Sequence, residues 1–512
     1  MDDPTEFETE NRPTTRRELR VVFGGLMLAL TLAALDQNIV ATALPRIVSD
    51  LGGLAHLSWV VTAFLVASTT STPLYGKFSD IYGRKPAFMV SIIIFLLGSM
   101  LCGLARGMTQ LIVFRAIQGL GAGGLITLAQ TTVGDLVPPR ERGRYQGLFA
   151  SVFAGCSVAG PLLGGVITAV LSWRWIFYVN LPVGAVALVM IAVGLRRHGH
   201  AKAHRIDYAG ALLLIAATCC ALLVLSWGGS VYPWPSTPIL IIGAAAVVLC
   251  AALALVEARA AEPVLPLHLF ANRVFVLGVA VISLSAMALF AAVVFLPLFF
   301  QLVLGASPAG AGLMISPMMG GVICASFLGG RMVSKTGRYK RFPVAGLAAA
   351  TSAYLAMSWA AAHGTGVALI ESILVVMGLG IGFVMPNLTT AIQNAVERRD
   401  LGAATSASAF LRSLGGALGV ALSGAILTTR LRGAASLASG GTQDLDHIAR
   451  LPPGQHAAVV GDYAHALSAT FLAGAGIAGC AFLLVLFLPE HPLRSSHEEP
   501  TRLSSRGWGR RA

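Results

Sequence analysis

Apolar residues run through this chain in long, nearly unbroken stretches, and polar residues are confined to short breaks between them. A bilayer core about 30 Å thick needs roughly 20 apolar residues for each helix that crosses it. Fourteen such stretches lie between charged or Gly/Pro-marked breaks: 21–44, 59–78, 86–104, 110–133, 146–171, 176–195, 208–227, 239–256, 274–304, 309–333, 342–362, 367–391, 403–427 and 466–488. The pattern predicts an all-α integral membrane protein with fourteen transmembrane helices. The first stretch is too long for a cleavable signal peptide, carries Asp36 and lacks a small-residue cleavage site.

Composition narrows the reading. Of 512 residues, 56 % are hydrophobic and 12 % charged, with a mean hydropathy of +0.76. Soluble domains carry about 25 % charged residues, so this chain has too few to cover a soluble surface. The net charge of +13 would suggest nucleic acid in a soluble protein. Here its placement decides. With the N-terminus inside, the segments on that side hold 28 Lys and Arg and the opposite loops hold 6, while Arg115 and Arg412 fall within helices. The asymmetry predicts that both termini lie in the cytoplasm, and it removes nucleic acid as a partner, because the charge is spread over short segments. All seven cysteines lie in apolar runs and none forms a CxxC pair, so neither a disulfide framework nor a metal site is expected. The His-rich segment 196–204 sits in a short basic loop, and the spacing of His447, His456 and His465 is read as coincidence.

The chain repeats itself. GLGAGGLITLAQ at Gly119 is similar to GLGIGFVMPNLT at Gly378, and GKFSDIYGRK at Gly76 to GRMVSKTGRY at Gly330. The offsets, 259 and 254 residues, imply two copies of a six-helix unit with a two-helix hairpin between them. An even insertion keeps both copies in the same orientation, related by an axis along the membrane normal. The expected organisation is a tail at 1–20, a bundle at 21–195, loops and inserted helices at 196–272, a second bundle at 273–488, and a tail at 489–512. Residues 429–465 read as a long extracytoplasmic loop.

Three segments of the first half carry a family resemblance. In GKFSDIYGRK, Gly76 permits close helix approach, Asp80 can accept hydrogen bonds from a helix N-terminus or from Arg84, and Gly83 suits a tight turn ahead of Lys85. Asp135, at the end of the fourth stretch, is placed to join that cluster. RAIQGLGAGG begins at Arg115, and GPLLGG contributes Gly160, Pro161, Gly164 and Gly165, which thin and bend a helix so that its neighbours can rock past it. This ordered set resembles the motifs of the major facilitator superfamily, GPLLGG resembling that of its antiporter members. LDQNIVATALP (35–45) and WRWIFYVNLP (173–182) resemble the fourteen-helix drug:proton antiporter branch, the EmrB/QacA type. The sequence departs from the branch at Gln37 and Asn38, and the second copy of the loop motif has Ser334 where the first has Asp80, so any clasp there is expected to be weaker.

Asp36 lies nine residues before Pro45 and Arg115 nine after Arg106, which puts both at a similar depth, about 13 Å at 1.5 Å per residue. A charge at mid-helix costs on the order of 2.5–3.5 kcal/mol on insertion scales, and the second half repeats neither residue. The pair is therefore assigned to proton coupling, with the proton gradient as the driving force and no cofactor. Arg412 is a third deep charge, without an obvious carboxylate partner at its depth. The resemblance implies a cavity lined by helices one, four, nine and twelve, with Asn38, Phe64, Gln118, Phe295 and Asn387 as candidates beside Arg412. No GxxxxGK[ST] motif is present, which argues against ATP-driven pumping by this chain alone. The expected function is export of lipophilic, often cationic, compounds in exchange for protons. Export of one specific metabolite or lipid is the second reading, and uptake the third. A membrane enzyme lacks a convergent catalytic group, and a passive channel would not need one asymmetric ionisable pair. A partner protein in a two-membrane envelope stays open.

Overall fold

A computed structural model describes residues 16–52, 57–195, 207–229, 231–260, 263–431 and 453–493. The His-rich segment 196–204, His447, and the outer parts of both expected tails lie outside them. The described chain is helical, with no strand beyond an isolated bridge between Gly228 and Tyr232. The helices are α1 Arg16–Leu51, α2 Leu57–Tyr82, α3 Arg84–Leu104, α4 Met108–Leu136, α5 Pro139–Val170, α6 Trp175–Gly194, α7 Tyr208–Trp227, α8 Thr237–Glu257, α9 Arg273–Leu302, α10 Gly310–Thr336, α11 Arg341–His363, α12 Val367–Ala395, α13 Leu401–Leu431 and α14 Pro453–Leu486.

Among the described residues, twelve helices are long and apolar enough to cross a membrane, and thirteen if bent α5 is one span. Fourteen spans are therefore not supported. The helix left over is α2, whose 26 residues would reach about 39 Å. Its apolar content is diluted by Ser68, Thr69, Thr70, Ser71, Thr72 and Pro73 in succession. The bend in α5 is 41° and separates Pro139–Ser157 from Leu162–Val170. Pro161 lies in that break, and a proline has no backbone N–H to give to the helix ladder. The expected loop at 429–465 is also corrected. Residues 429–431 belong to α13, and α14 begins at Pro453, with 432–452 undescribed. Helix-forming residues such as Gln455, Ala457 and Ala458 carry the last helix outward beyond its apolar run.

The packing follows one scheme twice. In the first half α2 and α3 pack on α4, while α1 packs on α5 and α6; in the second, α10 and α11 pack on α12, while α9 packs on α13 and α14. The halves are joined chiefly by two crossed contacts, α2 with α13 and α10 with α5, and further by α12 with α5 and α13 with α4. Each half has its own apolar interior. Phe88, Phe95 and Leu125 centre one of them, and Phe299, Tyr354 and Phe471 the other. The α7–α8 hairpin touches the body through α7, which meets α2 and α13 where Leu214, Val264 and Phe410 come together.

Candidate functional site

The buried polar centre of the first half is built on Asp36. Its carboxylate is 0 % exposed and lies 2.6 Å from Nη1 of Arg115, itself 1 % exposed. Gln118, one turn along α4 from Arg115, closes a ring. Its Oε1 accepts from Arg115 Nη1 at 2.7 Å, and its Nε2 donates to Asp36 Oδ1 at 2.8 Å. Asn180 on α6 donates to the same Oδ1 at 3.1 Å and to Ser99 Oγ at 3.0 Å. The guanidinium also lies over the Phe64 ring, 4.1 Å from its centre, and donates to the Val60 carbonyl. Two residues expected to line a cavity, Gln118 and Phe64, are bound into this network. Sequence reasoning missed Asn180, although a lone Asn in the apolar stretch 176–195 is a readable signal.

A second polar cluster closes the end of the bundle where α2 turns into α3. Gly83 has a φ of 89°, which lets the chain reverse between helices, and its counterpart Gly337 has a φ of 70°. Arg84 lies 2.6 Å from both Asp80 and Asp135. Asp80 reaches across to the other half, where its two oxygens accept from the backbone N–H groups of Gly402 and Ala403 at 3.1 and 2.8 Å. These are unsatisfied donors of the first turn of α13, so the carboxylate caps that helix and meets its dipole. Gly76 makes the approach possible, because a Cβ there would collide with Ser406 and the Gly402 carbonyl. Lys85 is only partly exposed and has no part in these bonds.

The pseudo-equivalent site in the other half is joined differently. Where Ser334 replaces an aspartate, Arg140 at the start of α5 donates to the carbonyls of Ser334 and Lys335 at 2.8 and 3.0 Å. The second clasp therefore caps the C-terminus of α10 with a cation instead of the N-terminus of α5 with a carboxylate. Gly330 packs there directly on Gly143. Arg142 adds bonds to the carbonyls of Gly134, Val137 and Gln393, and Gln393 donates to the Gln130 carbonyl. All of these contacts between the halves lie at one end of the bundle, which is closed.

The Gly-rich segment of α5 lies along α1. A Cβ at Gly160 would press on Asn38, and one at Gly164 on Thr42 and the Ile39 carbonyl. Gly165 faces away, with nothing within 4 Å. Asn38 is turned back onto its own helix, donating to the Ala34 carbonyl at 2.7 Å. Phe295 is 7 % exposed in the apolar interior of the second half. Asn387 is buried and donates to the Phe383 carbonyl, while its Oδ1 has no partner among the described residues. Arg412 stands apart from all of them on α13, partly exposed. Among the described residues no group of three or more His, Cys, Asp or Glu is placed to hold a metal ion.

Residues 26–420 match the Major Facilitator Superfamily. A multidrug transporter protein, MdtP of Bacillus subtilis (strain 168), is 39 % identical over 406 residues, covering 79 % of this chain and 75 % of that one. The MFS-type efflux pump LUC4 of a Fusarium species is 36 % identical over 459 residues, covering 86 % and 79 %. Among solved structures, the proton:xylose symporter XylE superposes with a TM-score of 0.61 at 14 % identity, covering 93 % of this chain and 96 % of that one, a likeness of fold alone. With twice-repeated helix packing, paired clasps and a family match over most of its length, the chain belongs to the major facilitator superfamily, a family of multi-pass membrane transporters and not of enzymes.

Proposed function

We propose that this protein exports lipophilic small molecules across the cytoplasmic membrane in exchange for protons, by alternating access, and that it belongs to the fourteen-helix drug:proton antiporter branch. The names of its relatives, a multidrug transporter and an efflux pump, support export. In this reading α2 is the further span. Its support is its length and its packing between α4 and α13, which shields its hydroxyl-rich face from lipid. The six-helix units at 21–195 and 273–488 then rock about α2–α13 and α5–α10, and the Lys/Arg asymmetry puts both termini in the cytoplasm.

The observation that carries the coupling is the Asp36 carboxylate, buried without exposure while the clasped end of the bundle is closed. Protonation would remove its charge and leave Arg115 an unpaired buried cation, at a cost of about 3–5 kcal/mol. The protonated form is therefore stable only once the helices have moved to give Arg115 water or another partner. Uptake of a proton and rearrangement of α1 against α4 and α6 become one event. Substrate movement is tied to the same rearrangement, since α1 also packs along the Gly-rich face of α5.

The test is efflux from inverted vesicles across an imposed pH gradient, with a panel of dyes and drugs. Wild-type transport should collapse when the gradient is dissipated. Asp36→Asn should retain its fold and lose gradient-driven transport; a variant that transports at the wild-type rate ends the proposal.

A further inference from the structure

The charges of the bundle interior are not all balanced. Asp36 is matched by Arg115, and Asp80 and Asp135 by Arg84. Arg412 has no hydrogen bond or ion pair among the described residues. Its position on α13 is not a lipid-facing one. Ser408, Gly415, Gly416, Gly419 and Ser423 are buried, and at 100° per residue Arg412 falls at the middle of the stripe they form. Leu418 and Leu422, by contrast, are 46 % and 41 % exposed on another face. Yet Arg412 itself is partly accessible.

Hydroxyl groups lie close to the same level. Gly415, one turn beyond Arg412, packs on the backbone of Ser283, whose Oγ is buried without a partner. The deep carboxylate of the first half is already engaged: Asp36 accepts from Arg115, Gln118 and Asn180. A lone guanidinium in a low-dielectric setting gains most from a carboxylate, to which it offers a planar pair of donors.

We infer that Arg412 recognises an anionic group on the transported molecule, and that the preferred substrates are amphiphilic organic acids, an apolar body carrying a carboxylate, and not the lipophilic cations that the sequence suggests. This inference rests on the exporter reading above. The acid neutralises Arg412 while bound, which gives the loaded cavity no net local charge as the halves close around it.

The experiment uses the full chain in vesicles of zwitterionic phosphatidylcholine, so that no anionic lipid competes for Arg412. Three fluorescent probes share one apolar body and end in a carboxylate, its methyl ester or a trimethylammonium group. The carboxylate should be exported about tenfold more efficiently than the ester, the size of one charge-assisted hydrogen bond. Arg412→Gln, checked for monodisperse elution, should reduce that ratio to about one, and Arg412→Lys should retain part of it. A ratio unchanged in Arg412→Gln, or a wild-type preference for the trimethylammonium probe, overturns the inference and leaves the exporter reading standing. Transport of none of the three probes by the wild type overturns the exporter reading and the inference with it.

Discussion

Asp36 and Arg115, 79 residues apart in sequence, meet at 2.6 Å in a site from which water is excluded. Breaking such a buried pair from one side strands a charge and costs about 3–5 kcal/mol, whereas removing both partners costs less. Arg115→Gln should therefore lower the melting temperature of the purified protein more than Asp36→Asn/Arg115→Gln does, while both abolish gradient-driven transport. Additive losses of stability in this double-mutant cycle would show that the two residues do not act as a pair.

The clasps at the closed end should act in parallel. Asp80→Asn removes a carboxylate charge from the first turn of α13, and Arg140→Ala removes two bonds to the end of α10. Each should open that end part of the time, and the two together should open it more than either alone. The readout is labelling of a single cysteine at Ser406, buried against Gly76, by an impermeant maleimide on a cysteine-free background. Labelling no faster in the double variant than in the parent would mean that these bonds do not hold the end closed.

Gly83→Ala puts a side chain at a φ of 89° and should destabilise by about 1–2 kcal/mol. Gly337→Ala, at 70°, should do the same in the other half. Thermal unfolding of the two variants measures this, and equal stability with the parent would mean that the turns can relax.

The two ends of the GPLLGG motif should respond differently. Gly160→Leu meets Asn38 and has to push α1 away from α5, whereas the Cβ of Gly165→Leu meets nothing within 4 Å. The first should lose transport by at least about tenfold, the effect of misplacing moving parts by an ångström or more. The second should transport as the parent does. Equal activity in both would remove the close α1–α5 contact from the mechanism.

Much of this architecture is legible in the amino-acid sequence. Gly76, Asp80, Gly83 and Arg84 form one cluster because motif spacing on a helix–turn–helix is a local property, and Asp135 joins it from the end of α4. Asp36 and Arg115 are legible for another reason. A charge deep in an apolar run is so unfavourable that it must be paired, and only one pair lies at matching depth. Where Asn38 and Phe295 point is not legible, because helices apolar on all sides carry little amphipathic signal and their sequence does not say which face turns inward. The clasp through Arg140 is illegible because the acceptors are backbone carbonyls of Ser334 and Lys335, which every residue possesses.

By itself the sequence determined the membrane-spanning class, the internal repeat, the glycine turns and the deep charges, since each follows from hydrophobic run length, chain geometry or the cost of burying charge. Only the tertiary structure decided how those charges are answered. It brought Asn180 to Asp36, extended α14 to Pro453, joined the halves through two clasps of opposite polarity, and left Arg412 unanswered. The physical reason is that partners in a membrane bundle are chosen across helices, by register and rotation. A nearly uniform apolar sequence leaves both undetermined until the helices pack.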